Sequence, residues 1–306
     1  MLSARYRITD LGHLDGEVLL FGGVYSNAQA LTALRRAADA HGIPTSKRIC
    51  TGDIAGYCAD TAAVMEQMVG DTLGVRVAGN VEKQLAAGQE DCGCGFEKGT
   101  PCDIASRSWF AEAQRQMTRL PEGFLSTLPD MALFRHTGKR YAVIHGGLRD
   151  VSRFIWPNAS QSVFEDEFST IEHEVGPIDA VIAGHCGIPF ERRVGRKTWI
   201  NAGVIGMPPH DGRPETRYAV LGEDGVRFHH LSYDHVAAAQ AMREAGLTQG
   251  YEWALETGYW PSEDVLPAAL CHGQGRQKVS LGWQAGASPR PAPLTAHPTH
   301  VYKSLS

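Results

Sequence analysis

The sequence predicts an α/β fold built on two packed sheets. Apolar strand-like runs alternate with helical periodicity through the first half, and closely spaced strands fill the second. Polar, ligand-type residues recur at the turns directly after strands, where sheets of this kind collect ligands.

Glu17–Phe21 is an apolar run ending in Gly22-Gly23 and reads as a buried strand entering a loop. Asn27 opens a helical pattern that Gly42 and Pro44 stop. Lys47–Cys50 is a second short strand, followed by the polar turn Thr51-Gly52-Asp53. Thr61–Met68 is helical in pattern, and Val75–Ala78 is a third strand ending at Gly79-Asn80. The stretch from Gln84 to Asp103 breaks this rhythm. It contains EDCGCGFEKGTPCD, rich in Gly, Cys and charge, and is expected to be an irregular insertion outside the core. Ile104–Met117 follows as an amphipathic helix.

From Met131 the strands crowd together: MALFRH and RYAVIHGG as a hairpin, then AVIAGH, FERRV, KTWIN, RYAVL and VRFHHL, with a helix over Gln161–Val175. His13 and Asp15 precede the first predicted strand, and His235–Ala245 and Gln249–Thr257 read as closing helices. One domain is therefore expected over residues 1–260, with the Cys-rich insertion at about 84–103. Residues 261–306 form a C-terminal extension whose Pro/Ala-rich part, GASPRPAPLTAHPTH, is expected to be extended or partly disordered.

The formal net charge of −5 supplies no electrostatic reason to bind nucleic acid or an anionic membrane. No stretch approaches the roughly 18 apolar residues of a membrane span, and the N-terminal residues lack the apolar run of a signal peptide. A cytoplasmic protein acting on a small molecule is expected. Seven cysteines without an export signal point to thiols for metal binding or redox chemistry rather than to a disulfide framework.

Asp53 follows RICTG, Asn80 follows VRVAG, His145 follows YAVI and His185 follows AVIAG. Taken singly, such an Asp is usually a helix cap and such a His merely hydrogen-bonded. Taken together, one Asp, one Asn and two His at four strand ends make an oxygen and nitrogen shell suited to Mn, Fe or Zn.

These blocks resemble those of the calcineurin-like metallophosphoesterase superfamily, in particular its small bacterial phosphodiesterase branch. The resemblance runs in order over about residues 17 to 232. Thr51-Gly52-Asp53-Ile54-Ala55-Gly56-Tyr57 resembles the GD-x-x-GY block, and Gly79-Asn80-Val81-Glu82 the GN-x-E block. His145-Gly146 resembles the single-His block, and Gly184-His185-Cys186-Gly187-Ile188-Pro189-Phe190 the GH-x-H-x-P-F block. Asn201–Pro208 resembles the closing strand and turn. The resemblance implies a double-sheet α/β sandwich with helices on both outer faces. It also implies two metal ions bridged by Asp53, with Asn80, His145 and His185 completing the shell of one of them. Asp53, Asn80 and His185 would be the catalytic set.

The departures fall together. Gly23 and Tyr25 stand where the family carries Asp-x-His, and Gly187 stands in place of its last His. Val81 stands where a His often follows the Asn. Either the second ion is absent, or thiolates rebuild its site. The candidate thiolates are Cys58, Cys186 and the loop cysteines Cys92, Cys94 and Cys102, which would favour Zn or iron. Asn27, Arg149, Arg153 and His210 are further candidates for holding substrate, and Tyr25 could contact phosphate, bind metal or plug the gap.

The expected function is metal-dependent hydrolysis of a small phosphate mono- or diester, using one or two divalent ions. The alternatives are a non-catalytic metal- or ligand-binding protein on the same fold, and an enzyme whose thiolate-containing site does other chemistry. An exposed tail and a Trp-containing C-terminal helix are consistent with a homodimer.

Overall fold

The computed structural model describes residues 5–69, 74–117 and 123–273. Two mixed sheets pack face to face. The first has six strands in the order β1-β5-β6-β7-β9-β8, formed by β1 (Ile8–His13), β5 (Met131–His136), β6 (Lys139–Val143), β7 (Ala180–Ala183), β8 (Phe190–Val194) and β9 (Lys197–Asn201). The second has five in the order β11-β10-β2-β3-β4, formed by β2 (Val18–Phe21), β3 (Arg48–Cys50), β4 (Val75–Arg76), β10 (Thr216–Gly222) and β11 (Gly225–Leu231).

Between the sheets lies an apolar layer. Val18, Leu20 and Ile49 of the second sheet meet Phe134, Val143 and Ile182 of the first. Burial on both faces explains why β2 reads as an unbroken apolar run rather than an alternating one. Helix α5 (Gln161–Val175) covers the outer face of the six-stranded sheet, seating Phe164, Phe168 and Ile171 against Trp199 and Val181. Helices α1 (Ala28–Ala40), α2 (Thr61–Val69), α4 (Pro101–Gln116), α6 (His235–Glu244) and α7 (Tyr251–Thr257) cover the other sheet. The result is the α/β/β/α sandwich expected from the sequence.

The helix starts follow local chemistry. Asn27 caps α1, its side-chain oxygen accepting the Ala30 N–H at 2.9 Å, and Ala30, Leu31, Leu34 and Ala38 form the buried stripe. Thr100 caps α4, with Pro101 in the first turn.

Three expectations need correction. His13 does not precede the first strand but ends one: β1 pairs in parallel with β5. Most of β1 is exposed, so it carries no hydrophobic alternation to read. A short helix, α3 (Asn80–Ala86), follows β4 directly, and the irregular stretch is thus shorter than 84–103, because α4 already begins at Pro101. Nor does that loop stay outside the core. Cys92, Cys94 and Cys102 are all buried. The first part of the C-terminal extension packs onto the domain through Leu266, beside Trp156 and Cys186. Its Pro/Ala-rich stretch lies outside the described residues. Among the described residues no helix is long and apolar enough to cross a membrane.

Candidate metal centre

Both sheets contribute to one site at their carboxyl ends. Asp53 lies just beyond β3 and Asn80 just beyond β4, while His145 follows β6 and His185 follows β7. The close approach of these turns depends on glycine. A Cβ on Gly52 would stand 2.6 Å from the Gly79 nitrogen, and one on Gly79 would stand 2.3 Å from Asp53 Oδ1.

The four side chains converge around His145. Its Nε2 lies 3.0 Å from Asn80 Oδ1, 3.1 Å from His185 Nδ1 and 3.2 Å from Asp53 Oδ2. His185 Nδ1 is 4.0 Å from the same carboxylate oxygen. The outward groups are held by the protein. His145 Nδ1 lies 2.6 Å from the Thr51 carbonyl and donates to it. The Asn80 amide nitrogen donates to the Cys92 carbonyl at 2.9 Å and toward Cys94 Sγ at 3.4 Å. Those contacts point His145 Nε2 and the Asn80 oxygen inward.

Burial alone would raise the Asp53 carboxyl, but His145 and then His185 hold it below its ordinary value. Burial works against a charge on His145, yet Asp53 keeps its pKa above the usual range. Burial and then His145 push His185 down to about 3, so it stays neutral. The chemistry of this donor set fits a divalent cation: a carboxylate, an amide oxygen and two imidazole nitrogens bring lone pairs together, all nearly inaccessible to solvent.

Backbone strain gathers here. Tyr25, Asp53, Tyr57 and His185 all adopt left-handed backbones, with φ of 52°, 56°, 47° and 61°. Each costs about 1–2 kcal/mol, which the packing around a functional site can sustain. Glu82 supports the turn from below. Fully buried, it accepts the backbone N–H groups of Asp53 and Ile54 at 2.8 Å and of Gly79 at 2.9 Å. Burial and then the Asp53 charge push its carboxyl up to about 7. Glu82 belongs to the Gly79-Asn80-Val81-Glu82 block, but its supporting role shows only in the packing.

The region where the family's second set of ligands would stand is occupied by other side chains. A Cβ on Gly23 would lie 2.5 Å from Val204 Cγ1 and 2.6 Å from Tyr25 Cζ, so the Tyr25 ring already fills the space into which residue 23 would project. Trp260 lies over Gly187, with its ring 3.4 Å from where a Cβ would stand.

The cysteines have other partners in this structure. Among the described residues the convergent group contains Asp53, His145 and His185 and no cysteine. Cys92 and Cys94 are joined to each other as a disulfide. Cys102 Sγ donates to Asp264 at 2.9 Å. Cys58 contacts the Gly206 carbonyl at 3.8 Å, and burial raises its thiol well above the ordinary value. Cys186 lies beside Asn201 and the Ile188 carbonyl, with burial pushing it up to about 12.

Three of the four substrate candidates are engaged by other groups. Asn27 caps α1 and donates to the Gly206 carbonyl at 3.1 Å. Arg153 turns to Asp166 and Glu167 of α5, at 3.0 and 2.7 Å. Arg149 is exposed. His210 is buried, bonded to Glu263 at 2.9 Å and accepting the Trp260 backbone N–H at 2.7 Å. A cavity of about 50 Å³ opens beside Asp53 and His185, with Tyr25, Tyr57, Phe154 and Trp260 in its walls. It has room for a few waters.

No protein-family model and no curated protein matches the sequence. Solved structures do. A metallophosphoesterase from Sphaerobacter thermophilus superposes with a TM-score of 0.61 at 20% identity, over 80% of this chain and 100% of that one. A hypothetical protein from Pyrococcus horikoshii OT3 superposes with a TM-score of 0.63 at 16% identity, over 80% of this chain and 99% of that one.

Proposed function

The chain has the metallophosphoesterase fold, and we propose that it is a metal-dependent phosphoesterase that holds a single divalent cation on Asp53, Asn80, His145 and His185. The observation that carries this reading is the meeting of Asn80 Oδ1, His185 Nδ1 and Asp53 Oδ2 within 3.0 to 3.2 Å of His145 Nε2 at one buried point, a donor set that a divalent cation would draw together. A divalent ion there supplies Lewis acidity toward a phosphoryl oxygen and makes water more acidic.

The remaining roles belong to the chain. Asp53 brings the negative charge, and Glu82 locks the turn that carries it. Thr51 and the Cys92 carbonyl orient His145 and Asn80. The aromatic walls exclude bulk water from the face of the site that Asp53 and His185 share. The substrate is a small phosphate mono- or diester, and Zn, Fe and Mn all suit the donor set.

Turnover of bis(p-nitrophenyl) phosphate and p-nitrophenyl phosphate by protein loaded with each metal tests this. Metal-dependent hydrolysis that disappears in Asp53→Ala is the expected result. A second reading, a non-catalytic metal- or ligand-binding protein, draws support from the filled second site. Stoichiometric metal binding with no turnover of either ester would favour it instead.

A further inference from the structure

Tyr25 is held more firmly than a space-filling ring requires. Its backbone N–H donates to the Asp53 carbonyl at 3.1 Å, and its carbonyl accepts the Cys58 N–H at 3.0 Å. Its φ of 52° is sustained by these ties. The ring stands edge-on to Tyr57, with centroids 4.5 Å apart. On another side a Cβ on Gly206 would come within 2.7 Å of Tyr25 Cβ, so that glycine makes room for the residue. The ring is therefore oriented from several directions.

The ring's far end matters most. Cζ and Cε2 lie 2.6 and 2.8 Å from where a Gly23 Cβ would be, and Cζ carries the hydroxyl. The phenol group thus reaches the region that a carboxylate at position 23 would occupy. The residue lines the same small cavity as Asp53 and His185, and among the described residues no hydrogen bond engages its hydroxyl. A neutral O–H beside a cation site is a donor for an anionic oxygen. Phenol, with an ordinary pKa of about 10, keeps its proton at neutral pH, and a hydrogen bond to a phosphate oxygen is charge-assisted.

We propose that the Tyr25 hydroxyl takes the electrostatic place of a second cation, donating a hydrogen bond to an oxygen of the phosphate group while the protein works with one ion per chain. This rests on the phosphoesterase reading above. It assigns the chain a positioned phenol where a two-ion centre would use metal charge, and Trp260 over Gly187 closes the other approach to that region.

The test uses the full-length chain and Tyr25→Phe, each loaded with Mn. Elemental analysis reads ions per chain, calorimetry reads the affinity for inorganic phosphate, and turnover of bis(p-nitrophenyl) phosphate reads kcat and KM. One ion per chain is expected in both proteins. Phosphate affinity and kcat should each fall about 10- to 100-fold in the variant, the range for losing one hydrogen bond to a charged group, with Tm unchanged. A variant that keeps one ion, phosphate affinity and kcat would overturn the proposal and leave Tyr25 as a plug. The wild-type metal count does not depend on whether the variant folds: two ions overturn the proposal and one supports it. A wild type that holds one ion yet neither binds phosphate nor turns over ester overturns the phosphoesterase reading and the proposal with it. An active wild type with an indifferent Tyr25→Phe overturns the proposal alone.

Discussion

The carboxylate of Glu82 accepts the backbone N–H of Asp53 at 2.8 Å, so one buried acid holds the peptide that presents the other. The same carboxylate takes the N–H groups of Ile54 and Gly79, and so ties β3's turn to the start of α3. Glu82→Gln keeps the shape but replaces one acceptor oxygen with a donor NH₂. At least one buried N–H then loses its partner, at about 1–3 kcal/mol. Thermal unfolding should show that loss, and metal titration should show affinity reduced about 10-fold or more, because a supporting contact to a ligand has gone. An unchanged Tm together with unchanged affinity would mean that Asp53 holds its conformation without Glu82.

His210 makes the C-terminal segment sensitive to acid. Its Nδ1 accepts the Trp260 N–H while Nε2 faces Glu263, an arrangement only the neutral ring can make. Burial lowers its pKa, with His272 adding to the effect and Glu263 and Asp211 opposing it. A depressed pKa means that this contribution is fully present above the ordinary histidine value of about 6.5 and is lost as pH falls through the folded value. Glu263, whose pKa is also lowered overall, loses its contribution in the same direction. Trp260 fluorescence should therefore shift to the red on acidification below the ordinary histidine range, ahead of global unfolding by circular dichroism. In His210→Ala the shift should already be present at neutral pH.

How much of this was legible depended on distance along the chain. Asp53, Asn80, His145 and His185 each follow an apolar strand, and that local signal was enough to collect them. Nothing in the sequence around Glu82 distinguishes it from an exposed acid. Only the packing shows it buried under Asp53. β1 was invisible because an edge strand with little buried surface has no periodic pattern. Arg153 looked free, but its partners lie on α5, a full helix away. The filling of the second metal region joins Tyr25, Val204, Gly187 and Trp260, and no spacing rule relates those positions.

The loop cysteines Cys92 and Cys94 touch the site through Asn80. The Asn80 amide is oriented by the Cys92 carbonyl and by Cys94 Sγ. In Cys92→Ser/Cys94→Ser the number of ions per chain should stay the same. Affinity should weaken several-fold as the amide loses part of its support. Elemental analysis at saturating metal and a competition titration separate the two effects. A drop of one whole equivalent would instead make a thiolate a ligand.

Trp260 lines the cavity and is itself half-buried. Its ring lies against Gly187, and its indole N–H donates to the Pro208 carbonyl at 2.7 Å. Trp260→Ala removes that wall and that hydrogen bond. The stability loss should be about 2 kcal/mol, within the range for uncovering a large apolar side chain, and readable as a lower urea midpoint. The enlarged opening beside His185 should change selectivity in a defined direction. Activity on p-nitrophenyl phosphate should change little, while kcat/KM for a bulkier aryl ester such as a naphthyl phosphate should rise relative to it. Metal content should be unaffected, because Asp53, Asn80, His145 and His185 hold their positions without touching Trp260 in any hydrogen bond described above. An equal fall on both esters would place Trp260 in the support of the centre rather than at its entrance.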